Sequence, residues 1–150
     1  MENKKRRLEE QLCFSLQTAS KQFNRMYTKA LKPFNLTYPQ YLVLLVLWEF
    51  ADQRISDIGQ KLQLDTGTLT PMLKRMESNG YIHRDRLEDD ERIVIISLSE
   101  KAEALETEIY NSVESCIKQL AFKKQEYFDL ITQLNELSQK ISEITYEIKK

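Results

Sequence analysis

Apolar or small residues recur at Leu8, Leu12, Leu16, Ala19, Phe23, Tyr27 and Ala30, in steps of three and four. That spacing predicts an amphipathic helix over 8–30, ended by Pro33 and Asn35. Thr37 is a candidate N-cap with Pro39 in the first turn behind it. Tyr41 to Phe50 is apolar almost all round, which predicts a buried helix. Ser56 is a candidate cap for a short helix, Asp57 to Leu62. Asp65 can cap a further helix that Gly80 stops. Pro71 lies inside that helix, so either its first turns are strained or its regular part starts near Thr70.

The period then changes. Tyr81–Leu87 and Ile93–Leu98 read as short strands flanking an acidic turn, Glu88 to Glu91, and Ile93–Ile96 is β-branched throughout. Ser99 is the candidate cap of a long helix reaching about Phe122. A last helix, about Gln125 to Ile148, carries Leu130, Leu134, Leu137, Ile141, Ile144 and Ile148 as a heptad seam that wants a partner helix. Helix, turn, helix and then a β-hairpin is a winged helix-turn-helix pattern. The expected fold is mainly α with a small β-hairpin wing, in one domain over 1–150. Residues 37–98 would form the DNA-binding module. The helices of 1–34 and 99–150 are too extended to be covered by it, so they are expected to build a homodimer. A symmetric dimer suits a pseudo-palindromic double-stranded DNA site.

Composition narrows the function. Three glycines and three prolines in 150 residues are too few turn residues for a sandwich or barrel. Lys plus Arg is 22 against 23 Asp plus Glu, so any basic surface must be local. Tyr41–Phe50 is too short to span a bilayer, which needs about 20 residues. The charged start MENKKRRLEE has no apolar segment behind it. No membrane partner or export signal is therefore expected, and the expected location is cytoplasmic. The cysteines are Cys13 and Cys116, the one histidine is His83, and Cys-x-x-Cys is absent. No structural metal or cofactor is expected, nor is a permanent disulfide in the cytoplasm.

Within the candidate reader helix, Thr66, Thr68 and Thr70 can donate to phosphates or meet a thymine methyl, and Lys74 and Arg75 add charge. Leu69, Leu73 and Met76 would face the core. An ordinary solvated helix fits the same residues, since helix-turn-helix spacing is degenerate. Arg92 at the hairpin turn can enter a narrow minor groove, with Asp90 orienting its guanidinium as a bidentate pair. A solvated turn of mixed charge competes with that reading. Residues 74–92 hold five basic side chains (Lys74, Arg75, Arg84, Arg86, Arg92) and six acidic ones (Glu77, Asp85, Glu88, Asp89, Asp90, Glu91). A uniform basic patch is excluded, so the positions of these charges must carry the binding. Cys13, between Leu12 and Phe14, reads alone as a buried small hydrophobe. No cation lies within one helical turn after it to stabilise a thiolate. His83 reads as a strand residue and Trp48 as core.

The Asp90-Glu91-Arg92 turn resembles the wing of the MarR family of winged-helix regulators. Gln11–Phe14, Leu36–Tyr41 and Leu64–Glu77 look like the organic-hydroperoxide-sensing (OhrR-type) repressors of that family. The resemblance runs from about Glu10 to Leu98, and more loosely to the C-terminus. It implies a DNA-binding homodimer with Cys13 as the reactive thiol, hydrogen-bonded by the hydroxyls of Tyr27 and Tyr38 from the other subunit. Phenol donors favour the thiolate and can stabilise the alkoxide that leaves when a peroxide is cleaved. Cys116 resembles the resolving cysteine of the two-cysteine branch, which pairs with the reactive cysteine of the other subunit; an inert helical cysteine is the competing reading. Oxidation by an organic hydroperoxide would then release operator DNA. The end state, an intersubunit or a mixed disulfide, stays open. So do a MarR-type repressor released by a small phenolic or apolar ligand, and a broad virulence or biofilm regulator using the same thiol switch. A thiol peroxidase is disfavoured, because no peroxidase-like motif and no β-rich thioredoxin pattern is present. A helical adaptor joined through the C-terminal heptads is disfavoured by the wing and the threonine-rich helix.

Overall fold

The computed structural model describes residues 6–148, with side chains to Tyr146. The first five residues of the charged start, and the Ile148 end of the heptad seam, lie outside the described side chains. The chain divides into one unit over Met1–Cys116 and a second over Ile117–Lys150. In chain order the elements are α1 (Leu12–Leu31), α2 (Tyr38–Phe50), β1 (Gln53–Arg54), α3 (Ile55–Leu62), α4 (Thr66–Ser78), β2 (Ile82–Arg86), β3 (Val94–Leu98), α5 (Glu100–Lys118) and α6 (Lys124–Ile148). The three strands form one antiparallel sheet in the order β1-β3-β2. No described helix is long and apolar enough to cross a membrane.

The caps expected from the sequence hold the first unit together. Thr37 Oγ1 accepts the Gln40 N–H at 3.4 Å, while Gln40 Oε1 accepts the Thr37 N–H at 3.0 Å. That reciprocal box starts α2. Asp65 Oδ1 accepts the Thr68 N–H at 2.7 Å and starts α4. Ser99 Oγ accepts the Ala102 N–H at 3.1 Å and donates to the Gly80 carbonyl at 2.6 Å. One hydroxyl thus caps α5 and fastens it to the α4–β2 corner. The core is built around α2: Val43, Leu44 and Leu47 are buried with Ile58 of α3, Leu69, Leu73 and Met76 of α4, and Tyr81, Ile82 and Ile96 at the sheet. The Tyr81 hydroxyl donates to the Phe34 carbonyl, a satisfied partner for a phenol buried among apolar side chains.

Four expectations about boundaries need correction. The first helix starts at Leu12 and not Leu8, because Gln11 is extended (φ −94°, ψ 125°) after a 3-10 turn at Leu8–Glu10. Ser56 does not cap the third helix; Arg54 holds that position and Ser56 lies in the first turn. The cause is β1, where Gln53 and Arg54 pair with Ile96 and Ile95 and deliver the chain directly into α3. The α4 helix runs unbroken through Pro71. The Asp65 cap fixes its first turn, and Pro71 removes only the N–H that would have met the exposed Gly67 carbonyl. Finally, α5 ends at Lys118 and not Phe122, with Ala121 in a left-handed turn (φ 55°) behind it.

The second unit is built on α6. Its α6 seam is unsheathed: Leu130, Leu134, Ile141 and Ile144 are exposed, and Leu137 is half-buried.

Ala51, the residue closing α2, has φ 59° and ψ −146°, a region that side chains avoid and glycine enters freely. Ala51→Gly is therefore expected to raise stability by about 1 kcal/mol. A denaturant midpoint that stays level or falls would contradict this strain.

Candidate nucleic-acid interface and thiol site

The α4 helix buries Leu69, Leu73 and Met76 and presents its remaining faces outward. Thr66, Thr70 and Lys74 recur every fourth residue, so they share one flank. With Arg84 and Arg86 of β2, Arg92 of the turn, Ile55 and Val94, they line a depression of about 500 Å³ between helix and wing. Its lining carries four cations and no carboxylate. The fold has sorted charges that are evenly mixed in sequence. Thr68 and Arg75 are exposed but out of phase with this flank, so the structure does not bring them into the depression.

The cations are held differently. Glu77 Oε2 accepts the Arg84 N–H at 3.0 Å, and Glu77 Oε1 lies 3.8 Å from Arg84 Nη1. Helix α4 is thereby tied to strand β2. Arg84 Nε is buried without a partner among the described residues. Arg86 Nη1 donates to the Glu91 carbonyl at 2.9 Å, closing the base of the turn. The expected bidentate Asp90–Arg92 pair is absent. Asp90 Oδ1 accepts the Arg92 backbone N–H at 3.0 Å and lies 3.8 Å from Arg92 Nε. A carboxylate two residues back in a turn meets the main chain first, which leaves the Arg92 side chain 95% exposed and free to reach outward. His83 is exposed on β2, and Trp48 is half-buried with its indole N–H buried and without a partner among the described residues.

Two residues of this region escaped sequence reasoning. Glu77 looked like a generic acid on the reader helix, and only the α4–β2 approach gives it its partner. Arg54 sits on a strand of two residues, too short for any period, and lines a smaller depression with Ser56, Thr66 and Arg92.

Cys13 is the second residue of α1 and is exposed. The sequence reading of a buried small hydrophobe is thus incorrect for the single chain: α1 buries no side chain before Ala30. Leu12 and Phe14, on either side of the thiol, are exposed as well. Tyr27 and Tyr38 are brought together, their ring centroids 4.9 Å apart and edge-on. Tyr27 also stacks near Phe23 at 4.7 Å and Tyr41 at 5.9 Å. Ser112 Oγ donates to the Ala30 carbonyl at 2.8 Å, fastening α5 to the C-terminal end of α1. Cys116 follows one turn later and is half-buried. Tyr27, Tyr38 and Cys116 therefore gather at one end of α1 and Cys13 stands at the other. At 1.5 Å per residue, Cys13 is about 21 Å along the axis from Tyr27 and about 25 Å from Ala30.

Burial pushes the Tyr38 hydroxyl above its ordinary pKa, and does the same at Tyr81. Both stay protonated, and so able to donate, at neutral pH. Unfolded phenols ionise near pH 10, while these folded ones hold their protons longer. Their contribution is thus intact below about pH 10 and is lost as pH climbs toward the folded pKa. Unfolding midpoints of the wild type should fall more steeply above about pH 10 than those of Tyr38→Phe; parallel curves would contradict the burial of this phenol.

Residues 25–109 match the family described as transcriptional regulator SarA/Rot. The chain is 53% identical over 102 residues, 67% of its length and 69% of the relative's, to the organic hydroperoxide resistance transcriptional regulator of Bacillus subtilis (strain 168). It is 40% identical over 144 residues, 95% of both chains, to the HTH-type transcriptional regulator MgrA of Staphylococcus aureus. Among solved structures, reduced AbfR of Staphylococcus epidermidis bound to DNA superposes with a TM-score of 0.81 at 38% identity, covering 91% of this chain and 95% of that one. Overoxidized AbfR bound to DNA gives 0.78 at 38% identity over 91% and 94%. Disulfide-formed AbfR gives 0.67 at 40% identity over 87% and 91%. These matches, on a winged helix with a basic groove, show that the chain belongs to the SarA/Rot family of MarR-like winged-helix transcriptional regulators and is similar to an organic hydroperoxide resistance regulator.

Proposed function

We propose that this regulator is a cytoplasmic homodimer that represses from a pseudo-palindromic operator and is released when an organic hydroperoxide oxidises Cys13. Residues 37–98 read the DNA through the groove residues Thr66, Thr70, Lys74, Arg84, Arg86 and Arg92 and, on the adjoining exposed faces of α4, Thr68 and Arg75, with Asp90 holding the Arg92 main chain. The helices of 1–34 and 99–150 join the subunits. The exposed seam of α6 and the exposed Leu12 and Phe14 of α1 support that division, since each needs cover.

The observation that carries the thiol switch is the separation along α1. Cys13 is exposed at one end, while the phenol pair and Cys116 are collected about 20 Å away at the other. A disulfide needs Cα atoms within about 7 Å, which disfavours pairing within one chain and supports the arrangement that the resemblance implies, in which the tyrosines and Cys116 of a second subunit serve Cys13. The thiolate sulfur attacks one peroxide oxygen; the S–O bond forms, the O–O bond breaks, and the alkoxide leaves as alcohol after taking a proton. The Cys116 thiolate of the other subunit then attacks the sulfenic sulfur, forming S–S and expelling hydroxide, which leaves as water. AbfR is bound to DNA both reduced and overoxidized. That favours the disulfide, more than oxidation of Cys13 by itself, as the state that releases DNA. Half-sites lie about one helical turn apart, so a rotation of one subunit spoils the register of the other.

Mixing complementary variants tests the trans arrangement. Neither Cys13→Ser nor Cys116→Ser should form a covalent dimer with hydroperoxide, whereas a re-equilibrated mixture should give one disulfide-linked heterodimer. A mixture that yields no covalent species would overturn the reading.

A further inference from the structure

Beside the large groove lies a second depression, of about 250 Å³, whose polar lining is Arg54, Ser56, Thr66 and Arg92. Ile55, Thr66, Arg92 and Val94 belong to both depressions, so the two are continuous. The backbone fixes Arg54 here: its pairing with Ile95 sets it beside the wing strand, one residue before α3 begins. The Arg54 side chain is exposed and has no ion pair among the described residues. The nearest acid of the α4 start, Asp65, does not line the depression, and its Oδ1 is engaged by the Thr68 N–H. The lining therefore holds two guanidinium groups and two hydroxyls with no carboxylate.

We propose that this depression seats a backbone phosphate of the bound DNA, with Arg54 and Arg92 closing on it from opposite sides and Ser56 and Thr66 donating hydroxyl hydrogen bonds. The inference rests on the reading of the helix–wing groove as the DNA surface, because that continuity is what selects a DNA phosphate over a free anion. Arginine suits such a seat, as its planar donors meet phosphate oxygens in pairs. A contact of this kind positions the protein and carries no base information. Arg54 is thus a binding residue that acts on every sequence alike.

The test is a salt titration of DNA affinity by fluorescence anisotropy. The probes are a duplex selected by the wild-type protein from a random pool and a scrambled duplex of the same composition. For Arg54→Gln the slope of log K against log salt is expected to fall by about 0.9 per subunit, with equal weakening on both duplexes. Arg54→Lys should restore most of the slope. Thermal melting should match the wild type, because β1 pairs through the Arg54 backbone. An unchanged slope in Arg54→Gln would overturn the seat, and so would a loss confined to the selected duplex, which would make Arg54 a base reader. A wild-type protein that binds neither duplex would instead defeat the DNA reading of the whole groove, and the seat with it.

Discussion

Cys13→Ser is expected to hold its DNA after a full equivalent of organic hydroperoxide, under conditions in which the wild type loses affinity by about 5- to 150-fold, the usual span of a coupling between two sites. The reasoning is local. Cys13 is the exposed thiol of the chain, at the first turn of α1, and Cys116 is half-buried in α5. Serine keeps the size of the side chain and removes its nucleophilic sulfur, so the first step cannot occur. The reduced affinity should not change, since Cys13 lies outside the helix–wing groove. Cys116→Ser separates the steps. It should still be oxidised at Cys13 yet stay on DNA, because no disulfide can form. If Cys13→Ser is released by peroxide as readily as the wild type, the signal enters elsewhere, and a ligand-released repressor becomes the better reading. Electrophoretic mobility shifts with matched reduced controls give the answer.

The second large effect concerns the corner that aims the reader helix. A Cβ placed on Gly59 would stand 2.7 Å from the Leu64 carbonyl oxygen and 3.2 Å from Leu69 Cδ1. The first neighbour is backbone, and Gly59 itself accepts the Leu64 N–H at 2.9 Å. Helix α3 cannot give way without breaking the turn into α4. Gly59→Ala is therefore expected to cost about 2 kcal/mol, within the range for overpacked cores. Gly59→Val should cost more. Against a total stability of about 5–15 kcal/mol, that is a large share. DNA affinity should fall together with the unfolding midpoint, because the displaced Leu69 shifts Thr66 and Thr70. Gly67→Ala serves as the contrast. Its Cβ would meet only Asp65 Oδ1, at 3.2 Å, the atom that caps α4; a shift of a few tenths of an ångström relieves that contact and alanine favours the helix, so the midpoint should fall far less than in Gly59→Ala. Equal midpoints for Gly59→Ala and wild type would show that α3 and α4 are looser than their spacing implies.

Features written in neighbouring residues were legible in the sequence. Thr37, Asp65 and Ser99 each cap the next few residues, and all three do so in the structure. The apolar run of α2 announced its own burial, and the β-branched run Ile93–Ile96 announced a strand. Features that depend on distant partners were not legible. Strand β1 exists only because Ile95 and Ile96 arrive some forty residues later to pair with it, and Arg54 went unnoticed with it. The Asp90–Arg92 spacing suggested a fork, but in a tight turn the nearer donor was the backbone N–H. The balance of charges in residues 74–92 argued against a basic surface until the fold turned Lys74, Arg84, Arg86 and Arg92 into one groove. The thiol site divides in the same way. Motifs pointed to Cys13, Tyr27, Tyr38 and Cys116, but only the length of α1 and the Ser112–Ala30 hydrogen bond put the last three at the end away from Cys13.

Intact mass under non-reducing, denaturing conditions distinguishes a bond between subunits from one within a chain. After one equivalent of an organic hydroperoxide, the expected product is a covalent dimer of twice the chain mass that collapses on reduction and is absent in Cys116→Ser. A chain that keeps its original mass, or one that loses two hydrogens while remaining a monomer, would contradict it.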